Sequence, residues 1–170
     1  LLRYKDYSKN DMILYVVQQD SGQYKRYDVK SFIPFAPSEF QITKEAVLIG
    51  GYYNRVPVVL HFSFALGKSK VLPGLFNEAG ELTQIRTYPD ATFDVLISAL
   101  NFSKQRTISI KNYDPEGNLL RNFALEPGDK HLIFGRSLKG DENMQVVGGV
   151  YGSHRSAEFS RGIFISAIDP

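Results

Sequence analysis

Cysteine and tryptophan are absent from the 170 residues, methionine occurs twice and histidine three times. Without cysteine there is no disulfide, no thiolate-held zinc or iron–sulfur cluster and no thiol nucleophile. Compartment stays open, because a cysteine-free chain suits a reducing cytoplasm and also a bacterial secreted protein that does without disulfides. Apolar runs fall far short of the roughly 20 residues that span a bilayer as a helix, and no signal-peptide pattern opens the chain. Charge is nearly balanced, with 20 Lys and Arg against 18 Asp and Glu. The basic residues are dispersed, so the clustered basic and aromatic face of a nucleic-acid binder is missing. Long stripes of helical period are missing too, which leaves little room for helix.

What is present is a repeat. Val-Leu-Ile-Gly-Gly-Tyr-Tyr at Val47 to Tyr53 returns as Gln-Val-Val-Gly-Gly-Val-Tyr at Gln145 to Tyr151, with Asp-Val-Leu-Ile-Ser-Ala-Leu at Asp94 to Leu100 between them. Taking Gly50, Ser98 and Gly148 as equivalent gives spacings of 48 and 50 residues, the interval of a stacked or circular array. Turn glycines keep a similar beat: Gly22, Gly67 and Gly117 are 45 and 50 residues apart. Ile13 to Asp28 also aligns with Ile108 to Phe123, and Arg55 to Ser63 with Arg161 to Asp169.

The runs Met12–Gln18, Ala46–Tyr53, Val56–Phe64, Phe93–Leu100, Thr107–Tyr113, Gln145–Tyr151 and Gly162–Ile168 are short, apolar and bounded by Gly, Pro, Asn or Asp, so they read as strands. Asp20 to Gly22, Asn77 to Gly80, Tyr88 to Asp90 and Asp114 to Gly117 supply turn residues. About four antiparallel strands per repeat of about 48 residues is the plan of a β-propeller blade. The expectation is therefore an all-β partial propeller, with a β-sandwich as the alternative. The approximate repeats are 1–53, 54–100, 101–151 and a partial 152–170, in one region spanning 1–170. Gly50, Gly51, Gly148 and Gly149 are expected to let backbones approach closely. A start at Leu1 without Met and an end at Asp169-Pro170, just after an apolar strand, suggest an ordered piece of a longer protein.

The segment Asn143 to Asp169 has a Gly-x-Tyr strand, a polar loop and a Gly-Ile-Phe strand ending in Ile-Asp. In this it resembles the large extracytoplasmic proteins of the Bacteroidota that carry tandem propeller-like repeats. The resemblance implies an envelope or surface location and a scaffold role, and carries over no catalytic residue. The earlier copy departs from it, with Val-Pro-Val-Val-Leu-His-Phe at Val56 to Phe62.

Catalytic patterns are weak. His61, His131 and His154 lack metal-site spacing, and His61 alternates within a strand, which favours a packed imidazole. Ser and His in Gly152 to Ser156 lack a nucleophile elbow. Asp141 with Glu142, and Glu78 with Glu81, sit in turn-like stretches. Asp114, Glu116 and Asn118 flank a glycine but fall short of a calcium loop, and Asn101-Phe102-Ser103 is a glycosylation sequon only in a suitable host. No enzyme activity, cofactor or metal is expected.

The connections following the Gly-Gly-Tyr-Tyr strands should emerge on one face: Asn54 to Val56, Asn101 to Arg106 and Gly152 to Arg161. Asn54, Arg55, Lys104, Arg106, His154, Arg155 and Arg161 would make that face locally basic, with Glu158 the single acid. The expected role is a non-enzymatic binding or scaffold module of a bacterial envelope or surface protein, with a protein partner, a glycan being possible chemistry. The rival roles are the non-catalytic part of a glycan or peptide hydrolase and an accessory subunit of an outer-membrane complex.

Overall fold

The computed structural model describes residues 2–6, 11–18, 20–30, 35–75, 80–100, 106–125, 131–140, 145–153 and 156–168. Among them no helix occurs, and hence none long and apolar enough to cross a membrane. Strands β1 (Leu2–Asp6), β2 (Asp11–Val17) and β3 (Tyr24–Lys30) form the first sheet, and β4 (Ala36–Ile42), β5 (Ala46–Tyr53), β6 (Val56–Ser63) and β7 (Lys68–Val71) the second. Strands β8 (Gly80–Thr87), β9 (Phe93–Leu100), β10 (Arg106–Tyr113) and β11 (Leu119–Leu125) form the third, and β12 (His131–Gly140), β13 (Gln145–Ser153) and β14 (Ser156–Ile168) the fourth. Every sheet is an antiparallel meander in chain order.

The repeated residues occupy equivalent places. Gly50, Ser98 and Gly148 lie in β5, β9 and β13, and face Val59, Ile108 and Ile165 on the following strands. Gly22, Gly67 and Gly117 all have positive φ in the hairpins β2–β3, β6–β7 and β10–β11. On this alignment the first sheet holds positions two to four of the four-strand pattern and the fourth sheet positions one to three. One sheet gives way to the next between Lys30 and Ala36, between Val71 and Gly80 and between Leu125 and His131, whereas the sequence repeats 1–53, 54–100 and 101–151 divide between the second and third strands. A periodic sequence has no intrinsic starting point; backbone hydrogen bonding sets the phase.

Side chains alternate between two faces along each strand, and here both faces are used. Met12, Leu14 and Val29 of the first sheet pack against Val47, Ile49, Val58, Leu60 and Phe62 of the second. The opposite face of the second sheet, through Leu48 and Val59, meets Ile85, Phe93, Val95, Ile97 and Tyr113 of the third. The other face of the third, Leu96, Ile108 and Ile110, meets Val147 and Phe164 of the fourth. Each fully buried aliphatic or aromatic side chain contributes about 1.5–3 kcal/mol. This double burial is why β5 reads as an unbroken apolar run and β9 as one interrupted only by Asp94 and Ser98. The outer strands β3 and β7 are rich in Lys and Arg, as suits exposed sheet edges.

Gly51 lies where β4 bulges between Pro37 and Glu39. A Cβ there would fall far inside contact distance of the Ala36 carbonyl oxygen. At Gly50 it would meet side-chain ends instead, Leu82 at 2.5 Å and Ile85 at 2.9 Å. The expected close approach is thus present, from two different neighbours. Gly51→Ala should lower the urea unfolding midpoint by the equivalent of about 2–3 kcal/mol, and Gly50→Ala by less, because Leu82 and Ile85 can rotate away while a backbone carbonyl cannot.

Candidate functional site

Four-strand meanders begin and end at the same end of the stack. That end carries the turn between β5 and β6 and the paired strand ends Leu100 with Arg106 and Ser153 with Ser156. The tip between β5 and β6 is a two-residue turn, with Tyr53 paired to Val56 and positive φ at both Asn54 (50°) and Arg55 (67°). This is the type I′ geometry that suits the twist of a hairpin and favours Asn-Gly. Asn tolerates it, but Arg55 pays about 1 kcal/mol for its Cβ. Asn54 and Arg55 are both exposed.

Arg106 and Arg161 prove to be strand residues instead of loop residues, at the start of β10 and within β14. The Gly152 to Arg161 stretch is mostly paired: Gly152 faces Ser160 and Ser153 faces Ser156. Polar side chains do not prevent a backbone ladder, so the polarity of this segment gave a false loop signal. The Arg106 guanidinium donates to Glu81 Oε2 at 2.8 Å and to Ser98 Oγ at 3.1 Å. The charge of Arg106 is therefore matched on the molecule. Ser98, in the place of Gly50, serves to hold it. Lys104, His154 and Arg155, like the sequon and the acids Glu78, Asp141 and Glu142, lie outside the described residues.

Beside this end the second sheet grips the free edge of the third. Tyr52, the first tyrosine of Gly-Gly-Tyr-Tyr, accepts from Leu82 N at 2.8 Å and donates to Leu82 O at 3.2 Å. Glu39 Oε1 accepts from Ile85 N at 3.2 Å. Burial raises the Tyr52 phenol above its ordinary pKa, and the negative charges of Glu81 and Glu39 add to the rise against the opposing bond from Leu82. The phenol therefore stays neutral, able both to donate and to accept.

Two carboxylates of the third sheet are partnered within it. Asp94 is fully buried and accepts from the Tyr88 hydroxyl and, at 2.8 Å, from Asn112 Nδ2. Nothing in the spacing of the sequence marked this carboxylate; its sole signal was an acid opening an otherwise apolar strand. Asp114, considered above for calcium, instead closes its own turn, accepting from Asn118 N at 2.7 Å and Asn118 Nδ2 at 2.8 Å. Burial opposes ionisation of Asp114, but these bonds and the Lys70 charge outweigh it and hold its pKa below the usual value. Among the described residues no group of three or more His, Asp or Glu is placed to hold a metal.

His61 is the packed imidazole its alternating position suggests. It is buried, its Nε2 donates to Pro115 O at 2.8 Å, and its ring stacks on Phe93, which stacks on Tyr113. Burial lowers the His61 pKa and Lys70 lowers it further; the bond to Pro115 and the Asp114 charge only partly offset this. The unfolded chain therefore takes up a proton that the folded chain resists. Stability from this source is complete above the ordinary histidine pKa and declines as pH falls through it, until the folded imidazole also protonates. Urea unfolding at pH 7.5 and 5.5 should show this loss in the wild type and a smaller one in His61→Gln.

A scan against protein-family models finds no match for the chain, and no curated protein matches it.

Proposed function

We propose that the four sheets are blades of a β-propeller, and that they form a non-enzymatic scaffold binding a protein partner at the hairpin-tip end, in a bacterial envelope or surface assembly. The blade reading is supported by sheets that follow chain order and pack face to face, with β4 beside β8 and β8 beside β12. First strands lying side by side suit blades arranged around an axis. A two-sheet sandwich would cover one face of each sheet, whereas the second and third sheets here are covered on both. The envelope location rests on the resemblance of Asn143 to Asp169 to the Bacteroidota repeats.

Arg55 carries the binding reading. Its guanidinium sits on an exposed tip whose backbone would be relaxed by glycine, and a side chain kept at such a cost is a candidate for recognition. An acidic surface is the complement. Arg55→Gly should raise stability by about 1 kcal/mol, by removing the Cβ strain, while weakening binding to a polyglutamate probe about tenfold. A more stable variant with unchanged affinity for the probe would remove the binding role from this tip.

A further inference from the structure

Register makes Val59, Ile108 and Ile165 equivalent, since they face Gly50, Ser98 and Gly148. Val59 and Ile108 are 0% exposed beneath the next sheet, whereas Ile165 is 70% exposed. Around it on the same face are Ile163, 79% exposed, and Ala167, opposite Val150 and Val146 of β13. This is the face with which the second and third sheets hold their successors, and here it is uncovered.

The first sheet presents the opposite kind of surface. Val17 and Tyr113 end β2 and β10, the strands at position three of the four-strand pattern, and both point to the preceding side of their sheet. Tyr113 is fully buried there, while Val17 is 58% exposed. Ile13 and Tyr15 share the Val17 face, with Tyr24 edge-on to Tyr15 at 5.8 Å. The only charges opposite them on β3, Arg26 and Asp28, pair with each other at 2.9 Å. One end of the stack thus offers a succeeding-sheet face and the other a preceding-sheet face, the combination used at every internal junction.

We propose, building on the blade reading, that the occupant of the fourth sheet's face is the first sheet of a second copy of this chain. The contact is head to tail and continues the internal packing. Such a contact closes or grows according to its rotation.

Sedimentation of the whole chain over a concentration series, with Ile165→Lys and Val17→Lys, tests this. Both positions are exposed in the single chain, so thermal unfolding should change little. Wild type is expected to associate, and each variant alone to associate at least about thirtyfold more weakly. An equal mixture of the two should form a dimer and stop there, because it retains one undamaged pair of faces. A wild type that stays monomeric at every concentration overturns the assembly and leaves the blade reading intact. Association insensitive to Val17→Lys also overturns it, since that points to fourth sheets meeting each other. If complementation succeeds, the contact stands whether wild type closes into a ring or grows into open filaments.

Discussion

Covering both faces of a sheet is the constraint on which this molecule depends. A strand buried on one side can alternate apolar with polar residues; one buried on both sides must be apolar throughout or satisfy each polar atom internally. In β5, β6 and β9 almost every side chain is buried. Removal of any one sheet would strip a face from its neighbour, so stability is shared along the stack. In this respect the chain behaves as repeat arrays do, with junctions between units contributing as much as the units themselves.

The same constraint determined what could be read from the sequence. The strands β5, β6 and β9, buried on both sides, appeared as nearly continuous apolar runs, and Ala46–Tyr53 and Phe93–Leu100 were bounded as the structure has them. The strands β3, β4, β7 and β11 lie at sheet edges, where half the side chains meet solvent. Their polar, weakly alternating sequences resemble loops. The turn glycines were legible because positive φ favours one residue type strongly. Of the residues expected on a basic face, Asn54 and Arg55 were legible as turn residues, where the turn is tight. Arg106 looked like a loop charge because its partner Glu81 is remote in sequence and comes near only through the pairing of β8, β9 and β10.

Buried polar groups follow a consistent rule: each is answered by a group at a fixed depth. Asp94 has Tyr88 and Asn112, and His61 has the Pro115 carbonyl. Lys111, also buried, donates to Asn122 on the adjoining strand at 3.3 Å. Such pairs act over distances of a few ångströms and tolerate little sliding. The His61 bond crosses from the second sheet to the β10–β11 turn of the third and so fixes their relative position, while the Asp94 and Lys111 bonds fix strand register within the third sheet. Ser109 is the exception among the described residues, with a buried hydroxyl that has no partner.

Tyr52 does more than join two sheets. Its hydroxyl occupies both the amide and the carbonyl of Leu82, the hydrogen bonds a foreign strand would need to add itself to β8. A single phenol here imitates one residue of a neighbouring strand without offering a further edge beyond it. The motif that first revealed the repeat thus also guards an inner edge against strand exchange and amyloid-like growth, the characteristic hazard of a protein built entirely from sheets.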